Sequence, residues 1–213
     1  MVIIKVFTSG PAETNSVLIG CPKTRQAAII DVPFESTDLL IKALEKESLT
    51  PTMILLTHTH WDHLADIAKL KKLLNVPVYV HAEDAGNLEK PGSDRLPLMF
   101  PIEGVKPDEF LTDGQIIPLG ALKIQVIHTP GHTPGGVCFW LPQEKILISG
   151  DTLFKGTIGN ISFPTARPAK MWESLKKLAE LPPETRVFPG HGPETTIRAE
   201  QWIKHAKERF GDE

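Results

Sequence analysis

The sequence has little that would assign it to a membrane or to an oxidising compartment. Its 213 residues include two cysteines, Cys21 and Cys138, which lie far apart and outside any CxxC or Cys-His ligand spacing. We therefore expect two free thiols in a reducing cytoplasm. No apolar run approaches the roughly 20 residues of a membrane span, and residues 1–7 lack the basic segment and cleavage site of a signal peptide. The prediction is a cytoplasmic protein with no membrane partner.

The sequence also lacks an excess of positive charge. The formal net charge is −3, and one small basic run, between Lys69 and Lys72, is typical of a solvated helix face. We therefore expect no nucleic-acid partner. With 41% hydrophobic and 23% charged residues, the composition is typical of a globular protein. The length predicts one domain over residues 1–213, and the oligomeric state stays open.

Four potential metal ligands stand close together in residues 57–63, which read THTHWDH. They follow the apolar residues 53–56, which predict a buried strand. Solvated loop histidines with Asp62 as a helix cap are one interpretation, but a cap explains one residue of the four. A metal site is the other, since imidazole and carboxylate groups bind Zn²⁺, Mn²⁺ and Fe²⁺. His58 and His60, two residues apart on an extended segment, can point the same way.

Strand-like and helix-like patterns follow one another in two similar halves of the chain. Strands followed by helices, twice over, predict two β-sheets packed face to face with helices on both outer sides. The fold class is α/β (α+β), a four-layer αββα sandwich. The predicted strands cover residues 3–7, 16–20, 26–31, 53–56, 78–81, 115–119, 122–128, 136–141, 145–149 and 186–188. The predicted helices cover residues 36–46, 63–74, 83–88, 168–181 and 193–209.

The segment from Pro91 to Pro107 is the most loop-like part of the chain, with prolines and glycines at short intervals. A loop of that length in a compact domain is more often a functional cover or a binding loop than filler. A flexible excursion is the alternative.

Three further turns place a potential metal ligand directly behind an apolar strand. They read HTPGHTPG with His132, SGD with Asp151, and PGHG with His191. Scaffolds commonly present functional groups from such loops, and neighbouring glycines let the backbone approach an ion or substrate closely. A single histidine in a turn is usually an ordinary polar residue. Four such turns, counting residues 57–63, indicate one common site.

These motifs together resemble a known family. The pattern HxHxDH, then TPGHT, SGD and PGHG, resembles that of the metallo-β-lactamase-fold hydrolases, over residues 1–205. TPGHTPGG, SGDTLF and PGHGPETT are most similar to the glyoxalase II branch, the hydroxyacylglutathione hydrolases, in its short single-domain form. The resemblance implies the metallo-β-lactamase fold and two divalent metal ions, with zinc expected first and iron or manganese as alternatives. It implies that one ion is bound by His58, His60 and His132, the other by Asp62, His63 and His191, with Asp151 bridging.

Four polar residues near these motifs fall outside the ligand pattern. His128 is interpreted as a strand-end residue or as one that supports the ligands, and His81 likewise. Asp31 and Asp66 could each orient a ligand or merely cap a turn, and the sequence favours neither interpretation.

The resemblance implies a small-molecule substrate, a glutathione or other thiol ester such as S-lactoylglutathione. Bound ions lower the pKa of a water to about 7, and we expect Asp62 to align the hydroxide and accept its proton. Two features depart from the family pattern: no C-terminal helical extension with glutathione-binding basic residues precedes Glu213, and Asn160 replaces an arginine common in short members. Lys155 and Arg167 are the candidate substitutes for substrate binding.

Other functions share this scaffold. Persulfide dioxygenases of similar fold bind one iron through two histidines and an aspartate, and His58, His132 and Asp151 match those positions. Hydrolases of other esters, lactones and thioesters are further alternatives, because a fold does not determine a substrate. A non-enzymatic metal-binding domain predicts a closed coordination shell, whereas this ligand set leaves positions open.

Overall fold

The computed structural model describes residues 1–211, and its strands form two six-stranded sheets. The first sheet has the order β1 (Ile3–Ser9), β2 (Thr14–Gly20), β3 (Gln26–Ile30), β4 (Thr50–Leu55), β5 (Val78–His81) and β6 (Glu109–Leu111). The second has the order β12 (Thr195–Thr196), β11 (Arg186–Pro189), β10 (Ile146–Gly150), β9 (Val137–Leu141), β8 (Leu122–His128) and β7 (Ile116–Leu119).

In the described part of the chain, residues 1–211, six helices cover the outer faces of the two sheets. They are α1 (Thr37–Lys46), α2 (Trp61–Leu64), α3 (Ile67–Leu74), α4 (Ala85–Glu89), α5 (Pro168–Ala179) and α6 (Ala206–Phe210), with a 3₁₀ turn at Gln201–His205 before the last. Helices α1 and α3 pack on the first sheet, and α5 packs on the second. The predicted four-layer αββα sandwich is therefore confirmed.

The strands in the middle of each sheet are apolar on both faces, because each face meets a hydrophobic layer. In β4, Leu55 lies in the core between the sheets, whereas Ile54 packs beneath the helices of the first sheet. In β9, Phe139 lies between the sheets and Cys138 packs beneath α5. This alternation follows from the opposite directions of successive side chains in a strand. The side chains that point inward from both sheets form one continuous core that joins the sheets.

Strand direction brings the functional turns to one edge of the sandwich. Strands β3, β4, β5 and β6 are parallel, so their carboxyl ends share an edge of the first sheet. In the second sheet, β10 and β11 are parallel, and β8 runs in the same direction because β9 is antiparallel to both. The turns that follow β4, β8, β10 and β11 carry the predicted ligands.

Two predicted helices differ from the structure. The helix predicted over residues 63–74 is two helices, since the chain turns at Ala65 and Asp66 before α3 begins. The helix predicted over residues 193–209 is wrong in its first half, where Thr195 and Thr196 form β12 against β11. Only its last residues are helical. Strands β6 and β12 were not predicted, because three and two residues are too short for a recognisable pattern.

The segment predicted to be a long loop has no strand or helix from residue 91 to residue 108. It packs nonetheless: the Phe100 ring lies 4.5 Å from that of Phe34 and 5.8 Å from that of Trp61, between ring centroids. Trp61 directly follows His60, so this loop covers one side of the predicted site. None of the helices in residues 1–211 is long and apolar enough to cross a membrane. The single domain over residues 1–213 stays a prediction.

We expect Phe139→Ala to lower the free energy of unfolding by about 3–5 kcal/mol, because it opens a cavity between the sheets. Phe139 is 0% exposed. The control is Phe110→Ala on β6, where the ring is 55% exposed, and a loss below about 1 kcal/mol is expected. Urea denaturation followed by circular dichroism measures both. Equal losses in the two variants would contradict the assignment of Phe139 to the core.

Candidate metal centre

The structure brings all seven predicted ligands together at the shared edge of the two sheets. Five of them, from residues 58–63 and 132, come from turns after β4 and β8, and the other two come from turns after β10 and β11. Their side chains form three overlapping groups whose ligand atoms lie within 4.8 Å of one another. These groups are His58, His60 and His132; His58, His63 and Asp151; and Asp62, His63 and His191.

The first trio consists of three buried imidazoles. The ring centroids of His58 and His60 lie 4.8 Å apart, and that of His132 lies 4.9 Å from His58 and 4.4 Å from His60. Nδ1 of His132 donates to the backbone carbonyl of Asn160 at 2.7 Å. Because a carbonyl only accepts, the proton stands on Nδ1 and leaves the Nε2 lone pair free for a metal.

The trio of Asp62, His63 and His191, called the second trio from here on, pairs two imidazoles with a carboxylate. Nε2 of His63 lies 3.3 Å from Nε2 of His191. Oδ2 of Asp62 lies 3.4 Å from the first of these nitrogens and 3.2 Å from the second. Thr14 holds this oxygen by donating its hydroxyl to it at 2.7 Å.

Asp151 lies between the trios. Its Oδ1 is 3.4 Å from Nε2 of His63, and its Oδ2 is 3.4 Å from Nε2 of His132. Oδ1 thus faces a histidine of the second trio, and Oδ2 faces a histidine of the first. This is the arrangement expected of a residue that bridges two ions.

Within residues 1–211, four buried polar atoms of this cluster have no hydrogen-bond partner. They are Nε2 of His58, Nε2 of His60, Nε2 of His132 and Oδ1 of Asp151. Buried polar atoms are nearly always paired, and leaving one unpaired costs about 1–3 kcal/mol. A divalent cation would engage all four, and a set of nitrogen and oxygen donors suits zinc, iron or manganese. The residues present therefore fit a metal centre.

The first trio is electrically neutral. Burial, reinforced by His63, lowers the pKa of His58 well below its usual value. Burial beside His132 lowers the pKa of His60 to about 3, and burial lowers the pKa of His132 too. Desolvation disfavours the imidazolium form, so these rings present free lone pairs near neutral pH.

The second trio is held by charge. Burial alone would lower the pKa of His63, but Asp62, Asp151 and Asp31 raise it well above its usual value. The pKa of His191 is raised to about 9, since Asp151 and Asp62 outweigh its burial. Burial would raise the pKa values of Asp62 and Asp151, yet His63 and His191 hold both low. His63 and His191 therefore form ion pairs with Asp62 and Asp151.

Residues outside the ligand set fix the orientation of the rings. Oδ2 of Asp31 accepts a hydrogen bond from Nδ1 of His63 at 2.9 Å. This bond directs Nε2 of His63 toward the cluster. Asp31 also accepts the backbone N–H of Thr57 at 2.8 Å. The backbone carbonyl of Ala12 accepts Nδ1 of His191 at 3.1 Å. No motif marks Ala12 or Asn160, since both act through the backbone.

The structure separates the two aspartates whose roles the sequence left open. Asp31 orients a ligand, whereas Oδ2 of Asp66 accepts the backbone N–H and the hydroxyl of Thr37 at 3.3 Å and 2.9 Å. Asp66 therefore stabilises the start of α1.

Glycine is required at two positions beside the ligands. A Cβ atom at Gly190 would stand 2.1 Å from Oδ1 of Asp151, and one at Gly159 would stand 2.0 Å from the backbone oxygen of the same residue. Both glycines therefore let the backbone pack closely against Asp151. The close approach of the backbone to an ion or substrate stays a prediction.

The two candidate substrate-binding cations, Lys155 and Arg167, belong to none of the three ligand groups. Arg167 forms an ion pair with Glu83, with Nη1 and Oε2 2.6 Å apart. Lys155 is exposed and directly follows Phe154, whose ring centroid lies 5.9 Å from that of His191. Phe163 stands over the first trio, 5.3 Å from the His60 ring and 5.6 Å from the His132 ring.

We expect Asp31→Asn to weaken metal binding by about 10–100-fold, because His63 loses the carboxylate that orients it. Asparagine tolerates the positive φ of 58° at this position. Asp66→Asn is the matched control and should bind metal like the wild type. Metal retained after dialysis against a competing chelator measures the difference. Unchanged retention in Asp31→Asn would refute this role.

Comparison with known sequences places the chain in a family. Residues 9–191 match the model of the metallo-beta-lactamase superfamily. The chain is 34% identical over 195 residues to the probable metallo-hydrolase YqgX of Bacillus subtilis, covering 90% of this chain and 91% of that protein. It is 37% identical over 180 residues to a hydroxyacylglutathione hydrolase of Mesorhizobium japonicum, covering 84% of this chain and 63% of that protein.

Solved structures agree with the sequence matches. The BLEG-1 B3 metallo-beta-lactamase superposes with a TM-score of 0.85 at 36% identity, over 93% of this chain and 96% of that one. TTHA1623, solved in a di-iron-bound form, superposes with a TM-score of 0.80 at 38% identity, over 92% of this chain and 96% of that one. Fold, motifs and matches agree, and the chain belongs to the metallo-β-lactamase superfamily.

Proposed function

We propose that this protein is a dinuclear metal-dependent hydrolase that cleaves a thioester such as S-lactoylglutathione. The observation that carries the proposal is the pair of ligand trios joined through Asp151. One ion would be held by His58, His60 and His132, and the other by Asp62, His63 and His191. When bound, such ions lower the pKa of a shared water and polarise a carbonyl group. Zinc is proposed first, and the di-iron form of TTHA1623 supports iron as the alternative.

Asp62 is the proposed catalytic residue. Oδ2 of Asp62 is fixed by the hydroxyl of Thr14 at 2.7 Å, within reach of both histidines of its trio. Within residues 1–211, Oδ1 is not engaged by a hydrogen bond or ion pair, so it is free to accept a proton from the attacking water. His63 and His191 hold the pKa of this carboxyl low despite burial, so at neutral pH it is ionised and can align the water by accepting a hydrogen bond.

The surroundings of the centre favour a small substrate with an apolar group beside the reacting carbonyl. Phe163 flanks the first trio and Phe154 flanks the second, so both sides present aromatic faces. A thioester suits this setting, because a thiolate leaves readily without a strong general acid. The hydroxyacylglutathione hydrolase of M. japonicum supports a glutathione thioester. We propose that the protein acts on it in the cytoplasm, with no nucleic acid or membrane involved.

Within residues 1–211, Lys155 and Arg167 are the cations proposed to bind the glutathione carboxylates. Arg167 would reach a substrate carboxylate only by leaving Glu83. Lys155, exposed beside Phe154, forms no hydrogen bond or ion pair within residues 1–211, and it is the stronger candidate. Because Arg167 is engaged by Glu83 and Lys155 is a single exposed cation, other acyl thioesters and lactones are worth testing beside S-lactoylglutathione.

A second candidate function is a persulfide dioxygenase with one iron. Nε2 of His132 lies 3.4 Å from Oδ2 of Asp151, and Nε2 of His58 has no hydrogen-bond partner within residues 1–211. The set of two histidines and one carboxylate is therefore present. The hydrolase is preferred because Asp62, His63 and His191 form a second trio beside it.

We expect the purified protein to contain close to two metal ions per chain and to hydrolyse S-lactoylglutathione. Elemental analysis measures the metal, and loss of thioester absorbance measures hydrolysis. The same preparation is tested for oxygen uptake with glutathione persulfide. One iron per chain with persulfide-dependent oxygen uptake and no hydrolysis would replace the hydrolase with the dioxygenase.

We expect Asp151→Ala to lose metal and activity together, by at least about 100-fold in kcat/KM, because one carboxylate serves both trios. Asp38→Ala removes an exposed aspartate of α1 and is the control, with metal content and activity unchanged. Metal content and thioester hydrolysis are measured on each variant after its fold has been checked by circular dichroism. Full activity in Asp151→Ala rules out the bridging role.

A further inference from the structure

A second group of potential metal ligands lies outside the seven residues of the centre. His81 is the last residue of β5 in the first sheet, Glu83 follows it, and His128 is the last residue of β8 in the second sheet. A nitrogen from each ring and a carboxylate oxygen lie within 4.8 Å of one another. We call these three residues the peripheral cluster, and it spans the gap between the sheets.

The two imidazoles of the peripheral cluster are stacked. Their ring centroids lie 4.1 Å apart, and the planes are inclined by 13°. Nε2 of His128 donates to the backbone carbonyl of Pro134 at 3.0 Å, so its Nδ1 lone pair is free. Nδ1 of His81 accepts the backbone N–H of Glu83 at 3.3 Å. This contact is long for a hydrogen bond, and an ion can take its place.

The electrostatic surroundings leave the donor atoms of the cluster available. Burial, together with the adjacent His128, lowers the pKa of His81, which keeps that ring neutral near pH 7. Glu83 is paired with Arg167, at 2.6 Å between Nη1 and Oε2, in a half-exposed position. A bound ion would exchange one cationic partner of this carboxylate for another, since an exposed ion pair is worth at most about 1 kcal/mol.

Neighbouring charges act on the backbone of His128. Asp113 accepts its N–H at 2.7 Å, and Lys177 donates to its carbonyl at 3.0 Å. Lys177 and Asp113 are themselves paired at 3.3 Å. These contacts fix the end of β8 without occupying the ring of His128.

We propose that His81, Glu83 and His128 form a separate binding site for a divalent transition-metal ion of the zinc, nickel and copper class. Two imidazoles and a carboxylate are donors that these ions prefer, whereas Ca²⁺ and Mg²⁺ require oxygen ligands. Water completes the coordination, because the site is partly open to solvent. The proposal is independent of the function assigned to the central metal site.

An ion in this site would join the loop that carries His132 to the first sheet. His128 begins that loop and holds Pro134 within it. From the other side, Asp84, next to Glu83, accepts the hydroxyl of Thr133 at 2.8 Å and the N–H of Gly135 at 2.6 Å. The ion would add a bond between the same two segments, so the peripheral site would stabilise the position of a central ligand.

The site is tested with Zn²⁺ by equilibrium dialysis of the purified protein, and with Cu²⁺ by electron paramagnetic resonance. The variants are His81→Ala, His128→Ala and Glu83→Gln, each checked for its fold by circular dichroism. His205→Ala is the control, since this histidine is exposed and lies in the 3₁₀ turn before α6. Asp151→Ala reports on the central site alone.

We expect the wild type and His205→Ala to bind one zinc ion more than His81→Ala or His128→Ala. We expect Glu83→Gln to bind that ion at least about 10-fold more weakly. Copper should give a signal with coupling to two nitrogens that persists in Asp151→Ala and disappears when His128→Ala is added to Asp151→Ala. Equal zinc stoichiometry in the wild type and both histidine variants would overturn the proposal. Because the test is a difference of one ion, it stands whether the central site holds two ions or one.

Discussion

One buried carboxylate, that of Asp31, links the parts on which the centre depends. It lies directly after β3 and accepts the N–H and the hydroxyl of Thr57 and Nδ1 of His63. Through these bonds the end of β3 is joined to the turn after β4 and to α2. The backbone of Asp31 is held in turn, because Ser16 of β2 donates its hydroxyl to the Asp31 carbonyl at 2.6 Å. A buried carboxylate is stable only with such donors, and the same donors set the direction in which the ligands face.

The two trios of the centre differ in the protonation of their buried imidazoles. Around His58 and His60, burial keeps the imidazoles neutral, and their free nitrogens have no protein partner. Around His63 and His191, carboxylates raise the pKa values and hold the rings as cations. An ion at the second trio would displace protons from these rings, because a metal-bound imidazole nitrogen carries none.

The strand ends and the ligand turns could be predicted from the sequence, because each turn combines an apolar run, a glycine or proline and a His or Asp. This combination predicts His132, Asp151 and His191 without any knowledge of contacts. The role of Asp31 could not be predicted, since it depends on a contact with His63 across 32 positions. The pairing of Arg167 with Glu83 is equally invisible in sequence. The wrong helix at residues 193–209 shows a further limit: pairing of Thr195 with Val187 decides the local structure there, and apolar spacing does not reveal it.

Each trio takes members from both sheets: His58 and His60 face His132, and Asp62 and His63 face His191. Metal binding would therefore be thermodynamically linked to the docking of the two halves of the sandwich, and the stabilisation would grow with the logarithm of free metal concentration. The hydrophobic layers beneath each sheet are internal to that half and can form without the ion. Assembly of this protein would then end with the closure of the sheet edge around its cations. In a cell poor in the metal, the apolar core between the sheets would still hold the two halves together, and the edge that carries the turns would lose this added stabilisation.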